Sequence, residues 1–181
     1  MKTYAFVLRL VVTLFVITAV VAGALAGINA ITEEKISAAQ AAKVQKAISA
    51  VLPGENAEEV TYEPQEGSNV EKIYRSESGY AVQVAPSGFG GTISMMVGVS
   101  PEGKVLGISI ISHTETAGLG AVAAGENAAG RAFRAQFEGL SGTVAVTKDG
   151  GQEDALTSAT ITSRAVAAGV TAALEAVKNL G

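Results

Sequence analysis

The chain has 181 residues, 48% of them hydrophobic, which is enough for one membrane segment and one modest domain. It has no cysteine and one histidine, so disulfides, iron–sulfur clusters, thiolate metal sites, c-type haem links and multi-histidine metal sites are excluded. Lys2 and Arg9 are the only charges before Glu33, leaving 11 bases against 17 acids in the remainder, a surface that repels nucleic acid.

From Leu10 to Ile31 the sequence is uncharged and apolar on all sides. A helix of about 20 such residues spans a bilayer core of about 30 Å. The run is longer than the usual apolar stretch of a signal peptide, which is about 7–15 residues. The alternative is a cleaved leader, because Ala22-Gly23-Ala24 and Ala24-Leu25-Ala26 resemble small-residue cleavage sites. Lys2 and Arg9 place the N-terminus in the cytoplasm by the positive-inside rule, and the rest outside. Ala19, Gly23, Ala26 and Gly27 recur at helical spacing and suit close approach of another helix, which favours a multi-subunit assembly. The span holds no acid or base of its own, so the chain is not expected to conduct an ion itself.

Thr32 reads as the cap of a second helix, with Glu33 and Glu34 in its first turn. Ile36, Val44, Ile48 and Val51 form its apolar face, and Pro53-Gly54 ends it. The boundaries follow: 1–31 anchor, 32–54 juxtamembrane helix continuing or abutting the anchor, and 55–181 extracytoplasmic domain. Residues 56–69 are polar and acidic and read as a loop or irregular edge. Strands are expected over 70–75, 80–84, 92–99 and 104–112, the last two joined by the turn Pro101-Glu102-Gly103. A helix over 126–137, a short strand over 143–147 and a terminal helix over 163–179 complete an α+β pattern: antiparallel strands flanked by helices.

Two stretches carry chemistry. Asp154-Ala-Leu-Thr157-Ser158-Ala159-Thr160-Ile-Thr162-Ser163 places five hydroxyls just before an amphipathic helix. Helix N-termini offer free N–H groups and a positive dipole end, so a phosphate is a natural guest. A Ser/Thr helix cap, with Thr162 or Ser163 at the N-cap, is the plainer reading. The second stretch is His113-Thr-Glu115-Thr116-Ala-Gly118-Leu119-Gly120. Two glycines around one leucine let the backbone approach a flat ring closely. The plainer reading is a tight loop, and nothing beside His113 resembles a hydrolase triad.

Together, in this order and spacing, the two stretches resemble the covalent FMN-binding domain family. In that family an Asp-x-x-Ser/Thr-Gly-Ala-Thr motif receives FMN through a phosphoester bond to its last threonine. Asp154, Thr157, Ser158, Ala159 and Thr160 match it, and His113 to Gly120 match an upstream His-x-Glu-Thr-Pro-Gly-Leu-Gly. Anchor and length are similar to the G subunits of Rnf electron-transport complexes. Ser158 stands in place of the usual Gly, and Ala117 in place of Pro. The first substitution is costly if that site needs a positive φ.

The resemblance implies FMN attached covalently to Thr160 by a separate flavin transferase, with FAD as donor and Mg²⁺ as helper. Asp154 would organise the loop, and Thr157, Ser158 and Thr162 would hydrogen-bond the phosphate, with Lys148 as an added counter-charge. Glu115, Thr116, Gly118 and Leu119 would lie against the ring, with Leu119 stacking on it. The implied activity is electron relay within a membrane ferredoxin:NAD oxidoreductase that moves Na⁺ or H⁺. The expected partners are other membrane and redox subunits, the transferase and membrane lipid. The chain is not expected to be catalytic alone. The alternatives are an anchored extracytoplasmic flavoprotein of another electron-transfer system and a non-redox anchored assembly domain.

Overall fold

A computed structural model describes residues 2–54, 56–63 and 67–180. Part of the expected 56–69 loop, and the terminal Gly181, lie outside the described residues. The chain divides into two compact units, residues up to 42 and residues from 43 onward.

Helix α1 runs from Lys2 to Val51 without a break. Thr32 is therefore not a cap. Its hydroxyl donates back to the Ile28 carbonyl at 2.9 Å, inside the helix. Thr13 and Thr18 do the same to Arg9 and Leu14, at 2.8 and 3.0 Å. Such back-bonding leaves no hydroxyl unsatisfied in an apolar medium. The helix is long and apolar enough to cross a membrane. Leu8, Leu14, Phe15, Val20, Leu25 and Ile31 are all exposed, as lipid-facing side chains would be.

In the second unit five strands form an antiparallel meander in sequence order: β1 (Glu58–Val60), β2 (Val70–Arg75), β3 (Tyr80–Val84), β4 (Ser94–Val99) and β5 (Val105–Ser112). The acidic edge strand β1 is found where a loop or irregular edge was expected. It pairs Glu58, Glu59 and Val60 with Arg75, Tyr74 and Ile73. The central strands β3 and β4 are covered on both sides. One face, with Ile73, Val82, Val84, Met95, Val97 and Val99, packs on helix α3 (Thr160–Leu180) through Val166, Val170, Ala173, Leu174 and Val177. The other, with Ala81 and Met96, takes Ala47, Ile48, Val51 and Leu52 at the end of α1. Ile36 is exposed, so the packed stripe starts only at Val44. Gly98 makes this fit possible, because a Cβ there would stand 2.9 Å from Val51 Cβ and 3.0 Å from its carbonyl.

Helix α2 (Ala128–Ala135) is shorter than the expected 126–137 and is capped by the Asn127 side chain, which accepts from the Gly130 N–H at 2.8 Å. Phe133 and Phe137 meet edge to face, with centroids 5.4 Å apart. The strand expected over 143–147 is absent. Val144 and Val146 are buried in the α3-side core. The Val144 backbone is satisfied by a side chain: its N–H donates to the Thr171 hydroxyl at 2.9 Å, which donates to the Val144 carbonyl at 3.2 Å. Val146 makes only an isolated parallel bridge to Glu153. Helix α3 starts three residues earlier than expected, at Thr160, so Thr162 and Ser163 lie within its first turn and are not N-caps.

Candidate functional site

Strand β5 delivers residues 113–120 to one end of the sheet. There Glu115 turns inward and is buried. Its N–H donates to His113 Nδ1 at 3.2 Å, and its carboxylate accepts from the Gly90 N–H at 2.8 Å and from the Thr162 hydroxyl. The Thr114 hydroxyl donates to the Gly90 carbonyl at 2.9 Å. One carboxylate thus ties together the β3–β4 turn, its own loop and the start of α3. Gly88, Gly90 and Gly120 crowd round it, and a Cβ on any of them would collide with the Glu115 side chain or the Thr114 carbonyl. Beyond Glu115 the loop curls on itself, with the Leu119 and Ala121 N–H groups both donating to the Thr116 carbonyl, at 3.1 and 3.2 Å. Gly118 supplies the left-handed φ of +76°, and Leu119 is pushed outward, 41% exposed.

The second stretch is held from two sides. The Asp154 N–H donates to Gln136 Oε1 at 2.8 Å, and Gln136 Nε2 donates to the Asp154 carbonyl at 3.0 Å, just after α2. A turn closes from the Ala159 N–H to the Leu156 carbonyl at 3.0 Å. The Ser163 hydroxyl donates to the Ala159 carbonyl and accepts from the Leu156 N–H, at 3.0 and 2.9 Å. Within this turn Ser158 has φ +62°, the only positive φ outside glycine among the described residues. The condition under which serine is costlier than glycine is therefore met. A left-handed conformation costs a non-glycine residue on the order of 1 kcal/mol, partly offset by glycine's greater freedom when unfolded. Ser158→Gly is expected to stabilise by roughly 0.5 kcal/mol, raising the melting temperature by about 1–2 °C; a lower melting temperature would contradict this.

Thr160 then opens the 21-residue helix α3, half-buried, with the free N–H groups of the first turn around it. Lys148 Nζ donates to Thr160 Oγ1 at 3.1 Å. Lys148 stands on the short 3-10 turn Thr147–Asp149, which ends on Gly150 in the left-handed region. Next to it Asp149 forms a two-point pair with Arg164, with Nε and Nη2 donating at 2.7 and 2.6 Å. Arg164 holds the Asp149 carboxyl below its ordinary range, and Asp149 in turn raises the guanidinium. Burial pushes the Glu153 carboxyl up, with the Asp154 charge adding to it.

The two stretches meet at a half-open cavity of about 330 Å³, lined by Glu115, Thr116, Leu119 and Gly120 on one side and 158–162 on the other. Phe89, 70% exposed at the tip of the β3–β4 turn, forms a further wall. This volume falls in the range of ordinary small-molecule sites. The donor set fits a flavin mononucleotide: apolar walls from Phe89, Leu119 and Ile161, and a hydroxyl beside a cation at a helix N-terminus for the phosphate. A larger hollow of about 520 Å³, lined by Pro101, Glu102, Gly142, Leu174 and Lys178 among others, contains none of the motif residues.

Of the residues singled out in sequence, Glu115, Thr116, Leu119, Ser158, Ala159, Thr160 and Thr162 line the cavity, whereas Asp154, Thr157 and Gly118 do not. Thr162 is buried and its hydroxyl is engaged by Glu115. Sequence reading missed Phe89 and Ile161 as walls and Gln136 as the clamp on Asp154. An aromatic ring set in Gly88-Phe89-Gly90-Gly91 was the one available signal, since a glycine turn has no structural need for it.

Residues 88–175 match the FMN-binding domain family. The chain is similar to the G subunit of the Na(+)-translocating ferredoxin:NAD(+) oxidoreductase complex of Acetobacterium woodii, at 33% identity over 195 aligned positions covering 96% of this chain and 93% of that protein. It is 44% identical over 102 residues to the G subunit of the proton-translocating ferredoxin:NAD(+) oxidoreductase complex of Clostridium ljungdahlii, a match covering 54% of this chain and about half (52%) of that protein. It is 36% identical over 156 residues to the G subunit of an ion-translocating oxidoreductase complex of Haemophilus influenzae, covering 78% of this chain and 75% of that protein.

Proposed function

The chain belongs to the family of G subunits of ion-translocating oxidoreductase complexes, and on that footing we propose that it carries FMN bonded through its phosphate to Thr160. It is an FMN-binding subunit of an ion-translocating ferredoxin:NAD oxidoreductase complex. FMN, when bound, supplies the electron-accepting and electron-donating chemistry. The protein's own part is to fix, orient and shield that group. The observation that carries the reading is the meeting of both motifs at one cavity, with Thr160 Oγ1 at the head of a long helix and Lys148 upon it.

In the loading step Thr160 Oγ1 forms a P–O bond to the FMN phosphorus of FAD. The pyrophosphate P–O bond breaks, AMP leaves, and the hydroxyl proton passes to a base of the flavin transferase. The N-terminal N–H groups of α3 would hold the phosphate. Leu119, Ile161 and Phe89 would hold the ring, and Glu115 keeps the Phe89 turn and the Leu119 loop at fixed separation. Thr116 and Ser158 line the same walls, while Asp154, clamped by Gln136, organises the attachment loop from outside. Other subunits of the complex are the partners. Lys2 and Arg9 support a cytoplasmic N-terminus and an extracytoplasmic FMN domain. That placement suits a covalent link, because a dissociated flavin would be lost there.

The attachment is tested on a denaturing gel of the chain from cells that possess the transferase. The wild-type band fluoresces as flavin; a dark band sinks the proposal. For the topology, a protease added to intact protoplasts digests the domain, and protection would reverse the orientation.

A further inference from the structure

We infer that Lys148 is the cation with which this chain assists its own modification, stabilising negative charge on Thr160 Oγ1 as it attacks phosphorus and on the phosphodiester that results. The inference rests on the reading of Thr160 as the attachment point.

Its basis is the way one short turn docks on one helix face. Lys148 and Asp149 are adjacent on the turn, and their partners Thr160 and Arg164 are one helical turn apart on α3. The turn is closed on itself by the Asp149 N–H to the Val146 carbonyl at 2.8 Å and the Thr147 N–H to the Glu153 carbonyl at 2.9 Å. Asp149 engages Arg164 at two points, so the Arg164 charge is answered. Lys148 then brings to the hydroxyl a positive charge for which no ion pair is formed among the described residues. An ammonium has three donors. One reaches Oγ1, and two remain for phosphate oxygens once the bond has formed. Glu115 lines the same cavity as Thr160 and would otherwise oppose an incoming anion, and Lys148 offsets it at the reacting atom.

The step needs no reactant beyond FAD. The bond made is Thr160 Oγ1–P, the bond broken is the pyrophosphate P–O, and Lys148 keeps its proton throughout.

The test uses the full chain in detergent with purified transferase, FAD and Mg²⁺, following in-gel flavin fluorescence against time and acceptor concentration. Lys148→Gln is expected to lower turnover at saturating acceptor by roughly tenfold or more, as for loss of one charge-stabilising donor at a reacting oxygen. Half-saturation should shift by no more than about twofold. Lys148→Arg restores most of the rate. The side chain is exposed, so melting stays at the wild-type value. Wild-type turnover in Lys148→Gln overturns the inference. So does a loss confined to half-saturation, which would make Lys148 a docking contact for the transferase. Thr160→Ala run alongside separates the two claims: persistent fluorescence there refutes the attachment point, whatever Lys148 does.

Discussion

Glu115→Ala is expected to destabilise the second unit by about 3 kcal/mol, more than any other single truncation at the site. The carboxylate is buried and accepts from two groups that belong to different segments, the Gly90 N–H and the Thr162 hydroxyl. Truncation orphans the buried Thr162 hydroxyl, which costs about 1–3 kcal/mol, and loses the bond from the exposed Gly90 N–H, worth about 1 kcal/mol more. Nothing can collapse into the gap, because Gly88, Gly90 and Gly120 face it without side chains. A loss of that size lowers the melting temperature by about 6–12 °C. Glu115→Gln keeps the shape but turns an NH₂ toward one of the two donors, so about half the loss is expected. Chemical denaturation of the detergent-solubilised chain measures both. Stability unchanged in Glu115→Ala would mean that the carboxylate does not hold the three segments together.

Thr160→Ala is expected to abolish covalent flavin while costing stability less than about 1 kcal/mol, since alanine is a good helix residue and the position is only half-buried. The structure sorts the five hydroxyls of the stretch. Thr162 is engaged by Glu115, and Ser163 is engaged by Ala159 and Leu156. Thr157 is exposed and outside the cavity. Ser158 lines the cavity and is the competing nucleophile, but lacks the Lys148 contact that Thr160 has. Ser158→Ala and Thr157→Ala should therefore remain fluorescent on a denaturing gel, the latter at most weakened. Fluorescence retained in Thr160→Ala and lost in Ser158→Ala would transfer the attachment by two residues.

The parts of the fold legible in sequence were those where local pattern and burial agree. Strands β2 and β3 lie where read, and Pro53-Gly54 ends α1 as expected, with Gly54 at φ +82°. Two of the failures share a cause, backbone satisfaction supplied from a distance, and the third is local. Thr143-Val-Ala-Val-Thr147 alternates like a strand, but the Thr171 hydroxyl on α3 takes the Val144 backbone and no ladder forms. Residues 58–60 carry two glutamates yet pair as β1 because Arg75, Tyr74 and Ile73 stand opposite. Thr32 has the residues of a cap around it, but the chain before it is already helical. At the site, both motifs were legible, and they line one cavity; the positive φ at Ser158 was legible as a condition. The Glu115–Thr162 bond, which joins residues 47 apart, was not, nor was the clamp of Gln136 on Asp154, 18 residues apart.

The most direct test is the mass of one tryptic peptide. Cleavage after Lys148 and Arg164 releases residues 149–164, which contain all five hydroxyls of the stretch. The peptide from wild-type protein matured with its transferase should carry one FMN, less the water lost in forming the ester, with fragment ions placing the added mass on Thr160. An unmodified peptide, or fragments placing the mass on Thr157, Ser158, Thr162 or Ser163, would contradict the account.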